Sequence, residues 1–113
     1  MKIIYLIGIS IILIAISRAE TGIASWYSVR CNGGTQTSSG ERLDDRALTA
    51  AHRTLPFGTK VKVQCSTTGR SVVVRINDRG PYVKGRVIDL SKAAAERIGI
   101  IKKGITKVEL SKP

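Results

Sequence analysis

Two runs of alternating residues constrain this chain more than any other feature. Thr59 to Cys65 sets Val61, Val63 and Cys65 on one side and Lys60, Lys62 and Gln64 on the other. Ser71 to Asn77 repeats the pattern with Val72, Val74 and Ile76. A period of two marks a strand with one buried face. Thr67-Thr68-Gly69-Arg70 between them supplies a turn, so the two runs predict a hairpin. Its apolar face needs more strands to cover it, and Gly22 to Ser28, Val87 to Leu90 and Ile105 to Leu110 read as short ones. Leu55-Pro56-Phe57-Gly58 and Asp78-Arg79-Gly80-Pro81 read as turns, and Cys31 to Gly40 as a loop rich in Gly, Ser and Thr. One helix is expected, with Ser91 as N-cap, Lys92 to Ile98 as its body and Gly99 as its stop. Leu90, Ala94 and Ile98 would form its buried stripe. Thr59 to Val63 and Thr106 to Leu110 echo one another and hint at two similar halves. About six strands and one short helix suggest a mainly β chain closed into a small barrel.

The 113 residues argue for a single domain. Met1-Lys2, an apolar run from Ile3 to Ile16 and Ser17-Arg18-Ala19 match a secretory signal peptide over residues 1–19, cleaved after Ala19. The run of about 14 apolar residues is short of the ~20 that a spanning helix needs. The expected product is residues 20–113. It loses Lys2 and Arg18, leaving 17 basic residues against 8 acidic ones, a net charge of +9. Export turns that charge away from nucleic acid and towards the polyanions outside the membrane, although the same charge also serves plain solubility. Cys31 and Cys65 would meet in an oxidising compartment, and a disulfide between them is expected. It would close a loop of about 35 residues, worth roughly 4 kcal/mol in the chain-entropy model.

The segments GIASWYS, TSSGERLD, LTAAHRTLPFGTKVKV and GRSVVVRINDRGPYVKGRVIDLS closely resemble the barrel domain of the rare lipoprotein A (RlpA) family. That family comprises septal and cell-wall lytic transglycosylases. The resemblance implies a six-stranded double-psi β-barrel over residues 20–113 and peptidoglycan glycan strands as the partner. It also implies cleavage of the MurNAc–GlcNAc β-1,4 bond with formation of a 1,6-anhydroMurNAc end. The family's functional Glu, His and Asp carry over onto Glu41, His52 and Asp78. The lipid-attachment cysteine and the C-terminal SPOR-type glycan-binding domain of many members have no counterpart here. The expected product is therefore exported, periplasmic or secreted, and not lipid-anchored.

The chemistry of these residues can be weighed by itself. A lytic transglycosylase uses the C6 hydroxyl of the same sugar as nucleophile, so one carboxyl can act first as acid and then as base, whereas a hydrolase wants two. Asp78, at the end of an apolar strand, is the acid/base candidate, because partial burial there favours a protonated carboxyl. Residue type alone makes it a turn former in N-D-R-G-P, and Arg75 and Arg79 favour its charged form. His52, the single histidine, either orients Asp78, holds a sugar or is a satisfied structural side chain. Glu41 follows Ser-Ser-Gly and would otherwise be a solvated loop carboxylate. Asp89 is a further candidate beside the Ser91 cap. Trp26 and Tyr27 point to opposite faces of one strand, so only one can line a groove. Trp26 and Tyr82 are candidate sugar-stacking rings, and Arg53 and Arg79 candidate contacts to glycan hydroxyls or wall carboxylates, or else solvated charges.

Two other readings compete. Expansins share the double-psi barrel and loosen or bind wall glycan without cleavage, and a glycosidase would use Asp78 with Glu41 or Asp89. Neither a metal nor a cofactor is expected, since a lone His without ligand-spaced neighbours makes a weak site. A monomer without nucleic-acid binding is expected.

Overall fold

The computed structural model describes residues 19–28 and 36–113. Residues 1–18, where the signal peptide is expected, and Cys31 lie outside the described residues. The strands are β1 (Glu20–Tyr27), β2 (Thr49–Ala51), β3 (Lys60–Cys65), β4 (Ser71–Asp78), β5 (Arg86–Ser91) and β6 (Ile105–Ser111), with helix α1 (Lys92–Ile98) between the last two. They close into a barrel in the order β1-β5-β2-β4-β3-β6. The chain is thus mainly β and barrel-forming, with one short helix among the described residues.

The expected hairpin is present, with Val61 opposite Val74 and Val63 opposite Val72. β6 lies antiparallel on the other side of β3, so the two echoing segments are neighbours, with Val63 opposite Leu110. The inward valines, with Ile76, Ile88, Leu90, Val108 and Leu110, make one core that Ala94, Ala95 and Ile98 of α1 cover. Each large aliphatic side chain buried there contributes roughly 1.5–3 kcal/mol. α1 starts and stops where its caps dictate. The Ser91 hydroxyl accepts from the Ala94 N–H, and Gly99 ends the helix at φ 77°.

Two neighbour pairs are parallel, β1 with β5 and β2 with β4. Parallel neighbours cannot be joined by a tight turn, so the chain must cross the ends of the barrel. Each parallel pair also slips by one residue. Ile23 faces Arg86 but Ala24 faces Ile88, and Ala50 faces Ile76 but Ala51 faces Asp78. The extra residues are Val87 in β5 and Asn77 in β4.

Because Cys31 lies outside the described residues, the expected Cys31–Cys65 disulfide is not seen among them. Cys65 is a free, buried thiol. It shares the inward face of β3 with Val61 and Val63, and its Sγ lies 3.3 Å from Thr67 Oγ1 and 3.5 Å from Thr106 Oγ1. The alternation that buries the valines turns this sulfur into the core as well.

Candidate functional site

The slip in β4 shapes the site. In an unbroken strand Asp78 would share a face with Ile76, which is fully buried in the core. The extra residue at Asn77 instead sets Asp78 beside Ala51, whose side chain packs with Tyr27 and Leu43 outside the main core. Bulges re-aim side chains in this way. On the other side of Ala51 stands Asp89, and beyond it Ser25. Ser25, Asp89, Ala51 and Asp78 therefore form one rung across four adjacent strands.

The two carboxyls of this rung are held differently. Asp78 Oδ1 accepts from the Ser38 N–H at 2.9 Å, the Ser38 hydroxyl at 2.6 Å and the Arg79 N–H at 2.8 Å. Asp89 Oδ1 accepts from the Ser25 hydroxyl at 2.9 Å. Burial pushes the Asp89 carboxyl above the usual aspartate range, opposed by the Ser25 hydrogen bond and the Arg86 charge and reinforced by the negative charge of Asp78. The carboxyl that burial suits to carry a proton is Asp89. Burial first, then the charges of Asp78 and Asp89, push the Tyr27 phenol upwards, so it keeps its proton.

Glu41 stands in a small loop folded on the outer face of β4. Thr37 N–H donates to Glu41 O, Gly40 N–H to Thr37 O and Ser39 N–H to Asn77 O. The Glu41 carboxylate takes both arms of Arg75, at 2.8 and 2.6 Å. Arg75 holds that carboxyl below the usual glutamate range against a smaller upward push from burial, with help from Asn77. Glu41 thus stays charged and occupied. It pins to β4 the loop that delivers Ser38 to Asp78.

His52 does not touch Asp78 with its ring. Its Nε2 lies 2.9 Å from Glu20 Oε1, and its Nδ1 accepts from the N–H groups of Thr54 and Leu55 at 3.2 and 3.1 Å. Two donors on Nδ1 place the ring proton on Nε2, which donates to Glu20. The tie to Asp78 runs through the backbone, where His52 N–H donates to Asp78 O at 3.2 Å.

The remaining candidates divide. Trp26 packs against the main core, so it is Tyr27 that faces the carboxyls. One Arg79 nitrogen donates to His52 O and Leu55 O at 3.2 and 2.9 Å, and the guanidinium lies 4.0 Å over the Phe57 ring. Arg79 therefore braces the turn after β2. Arg53 is exposed, and so is Tyr82, at 76%. Tyr82 follows Gly80-Pro81 directly after Arg79, so an open ring stands within a few residues of Asp78. Sequence reasoning missed Glu20, Ser25 and Ser38. Strand register could have flagged Ser25 once β1 and β5 were known to be neighbours, whereas nothing in the sequence announces the contacts of Glu20 and Ser38.

Several known proteins resemble this chain. It is 59% identical over 95 residues to the probable endolytic peptidoglycan transglycosylase RlpA of Synechocystis, covering 84% of this chain and 29% of that protein. The endolytic peptidoglycan transglycosylase RlpA of Neisseria meningitidis serogroup A is 50% identical over 91 residues, 80% of this chain and 38% of that one. The chain thus spans about a third of the length of these relatives. Among solved structures, a Streptomyces papain inhibitor superposes with a TM-score of 0.67 at 20% identity, over 85% of this chain and 94% of that one. A Clavibacter michiganensis expansin superposes with a TM-score of 0.65 at 22% identity, over 85% and 50%. These two share the fold. The profile of the family described as lytic transglycolase matches residues 19–110, and the chain belongs to that family of double-psi β-barrel domains.

Proposed function

We infer that this chain is a peptidoglycan lytic transglycosylase that acts outside the cytoplasm after export, and that it cuts the MurNAc–GlcNAc β-1,4 bond. The observation that carries the reading is the rung, which sets two unlike carboxyls on either side of Ala51. Asp89, whose proton burial favours, protonates the departing glycosidic oxygen. The MurNAc C6 hydroxyl attacks C1 of its own ring as the C1–O4 bond breaks. Asp78, arranged as an acceptor, takes the proton from O6. The product is a 1,6-anhydro ring, and no water enters.

In this assignment Glu41 and His52 hold the site rather than move protons. Glu41 keeps the Ser38 loop on β4, and His52 keeps the turn after β2 against Asp78. Tyr82 offers a ring for a sugar face, and the exposed Arg53 a charge for wall carboxylates. The family membership and the names of relatives at 50–59% identity support the reaction and its substrate. A monomer released from its leader, periplasmic or secreted, completes the proposal. Among the described residues no helix is long and apolar enough to cross a membrane.

Mass spectrometry of purified glycan strands incubated with the chain tests this. Products one water lighter than hydrolysed fragments are expected, and none with Asp78→Asn or Asp89→Asn. Ordinary reducing ends would make the protein a hydrolase. Bound but intact strands would make it an expansin-like wall binder.

A further inference from the structure

We propose that Tyr27 is a positioning residue for the carboxyl pair, its buried hydroxyl being the donor that receives the negative charge Asp89 acquires when it gives up its proton. This rests on the reading that the pair acts on the glycan bond. Tyr27 is 7% exposed, and its buried hydroxyl makes no hydrogen bond among the described residues. Leaving such a donor unpaired is destabilising, so a fold that keeps one has a use for it or wastes stability. The ring is gripped by Leu43 and Ala51, and Ala51 is the residue between Asp78 and Asp89 in the rung. Tyr27 stands two positions beyond Ser25, on the same face of β1, and Ser25 is the rung neighbour of Asp89.

The hydrogen bonds around it leave it a task. All donors to the two carboxyls from the described residues go to Oδ1 atoms, so among these residues Oδ2 of each receives none. The charged groups that act on this cluster are Asp78 from β4 and Asp89 and Arg86 from β5. Burial first, then the negative charges of Asp78 and of Asp89 once ionised, hold the phenol proton in place, so Tyr27 remains a donor. With the site at rest the hydroxyl makes no hydrogen bond to a described residue. Once Asp89 has protonated the leaving oxygen, a carboxylate stands beside an unused donor. Stabilisation of charge that appears only during reaction lowers the barrier without tightening ground-state binding.

Tyr27→Phe removes the hydroxyl and keeps the ring on Leu43 and Ala51. A roughly tenfold fall in kcat with KM unchanged is expected, the size of one lost hydrogen bond. Losing a donor to the carboxylate makes Asp89 hold its proton more tightly. Its titration in the free variant, followed by carboxyl carbon NMR, should therefore move to higher pH, and the alkaline limb of the rate profile should move with it. An unmoved Asp89 titration, or a rise in KM alone, overturns the proposal. Asp89→Asn provides a reciprocal check if the phenylalanine variant does not fold. It should bring the Tyr27 phenol down towards the ordinary tyrosine value in an NMR titration, and no movement would sink the idea. The titrations need no activity. Intact glycan with the wild-type chain would defeat the proposed function while the NMR still decides on Tyr27.

Discussion

His52 gives its ring to Glu20 and to the backbone of its own turn, and only its main-chain N–H to Asp78. A buried imidazole with both nitrogens occupied is poorly placed to exchange protons with a substrate. It is well placed to fix the segment from His52 to Leu55, which Arg79 grips from the other side.

His52→Gln should therefore act on stability before it acts on chemistry. One or two of the ring's hydrogen bonds are lost in a 5% exposed position, at a cost of about 1–3 kcal/mol. In a domain of this size that lowers Tm by roughly 4–8 °C for each kcal/mol. Glu20→Ala should lower it less, since Glu20 is exposed and water can take its place. Calorimetry beside a rate profile checks this. An unchanged Tm with one limb of the profile abolished would make His52 a proton-transfer group after all.

Asp89 should be a stability cost at neutral pH. Burial raises its folded-state value above the unfolded one, so its favourable contribution is full below the unfolded value, near 3.9, and is lost as pH rises through the folded value. Asp89→Asn keeps an acceptor for Ser25 and never becomes charged. At pH 7 it should melt higher than the wild type, and the advantage should vanish near pH 3. Glycan cleavage should be abolished in the same variant, the exchange of stability for function expected of a strained site. A variant no more stable at pH 7 than at pH 3, relative to wild type, contradicts the burial argument.

The barrel was legible because its evidence is local. Alternation in β3 and β4, and the caps Ser91 and Gly99, each specify their element without help from distant residues. β2 was not legible, since Thr49-Ala50-Ala51 is three buried residues with no alternation to read. The carboxyl pair was half legible. Motif resemblance pointed to Asp78, but its partnership with Asp89 depends on a bulge at Asn77 and on the order β5-β2-β4, neither of which periodicity encodes. The placing of Trp26 and Tyr27 failed for a related reason. Alternation says that they diverge, and only the closed barrel says which of them faces the carboxyls.

The Glu41–Arg75 pair should matter more to catalysis than to folding. Both side chains are about 40% exposed, and ion pairs so exposed contribute under about 1 kcal/mol. Glu41→Gln should shift Tm by little. It should slow glycan cleavage several-fold, because the loop no longer brings Ser38 reliably to Asp78. Ser38→Ala should do the same, and the double variant should be no worse than the worse single one, since both break one connection. Additive losses in kcat would mean that Glu41 acts on the substrate independently. Arg75 lowers the Glu41 value, so whatever the pair adds to stability is full above the ordinary glutamate value and disappears as pH falls through the folded one.

The seam between β1 and β5 carries Ser25 and Asp89, and it closes only because residue 22 is glycine. A Cβ at Gly22 would run into the side chain of Val87, the extra residue of the β5 bulge. Gly22→Ala should destabilise the chain by about 1–3 kcal/mol through overpacking. Val87→Ala alone leaves a small void and should also destabilise. The double variant should recover much of the first loss, because the second substitution removes the atoms that the first one strikes. Denaturant midpoints for the four proteins measure the coupling. Simple additivity would mean that the strands part at this point instead of repacking, and the Ser25–Asp89 hydrogen bond should then be lost as well, with a change in the Asp89 titration as its sign.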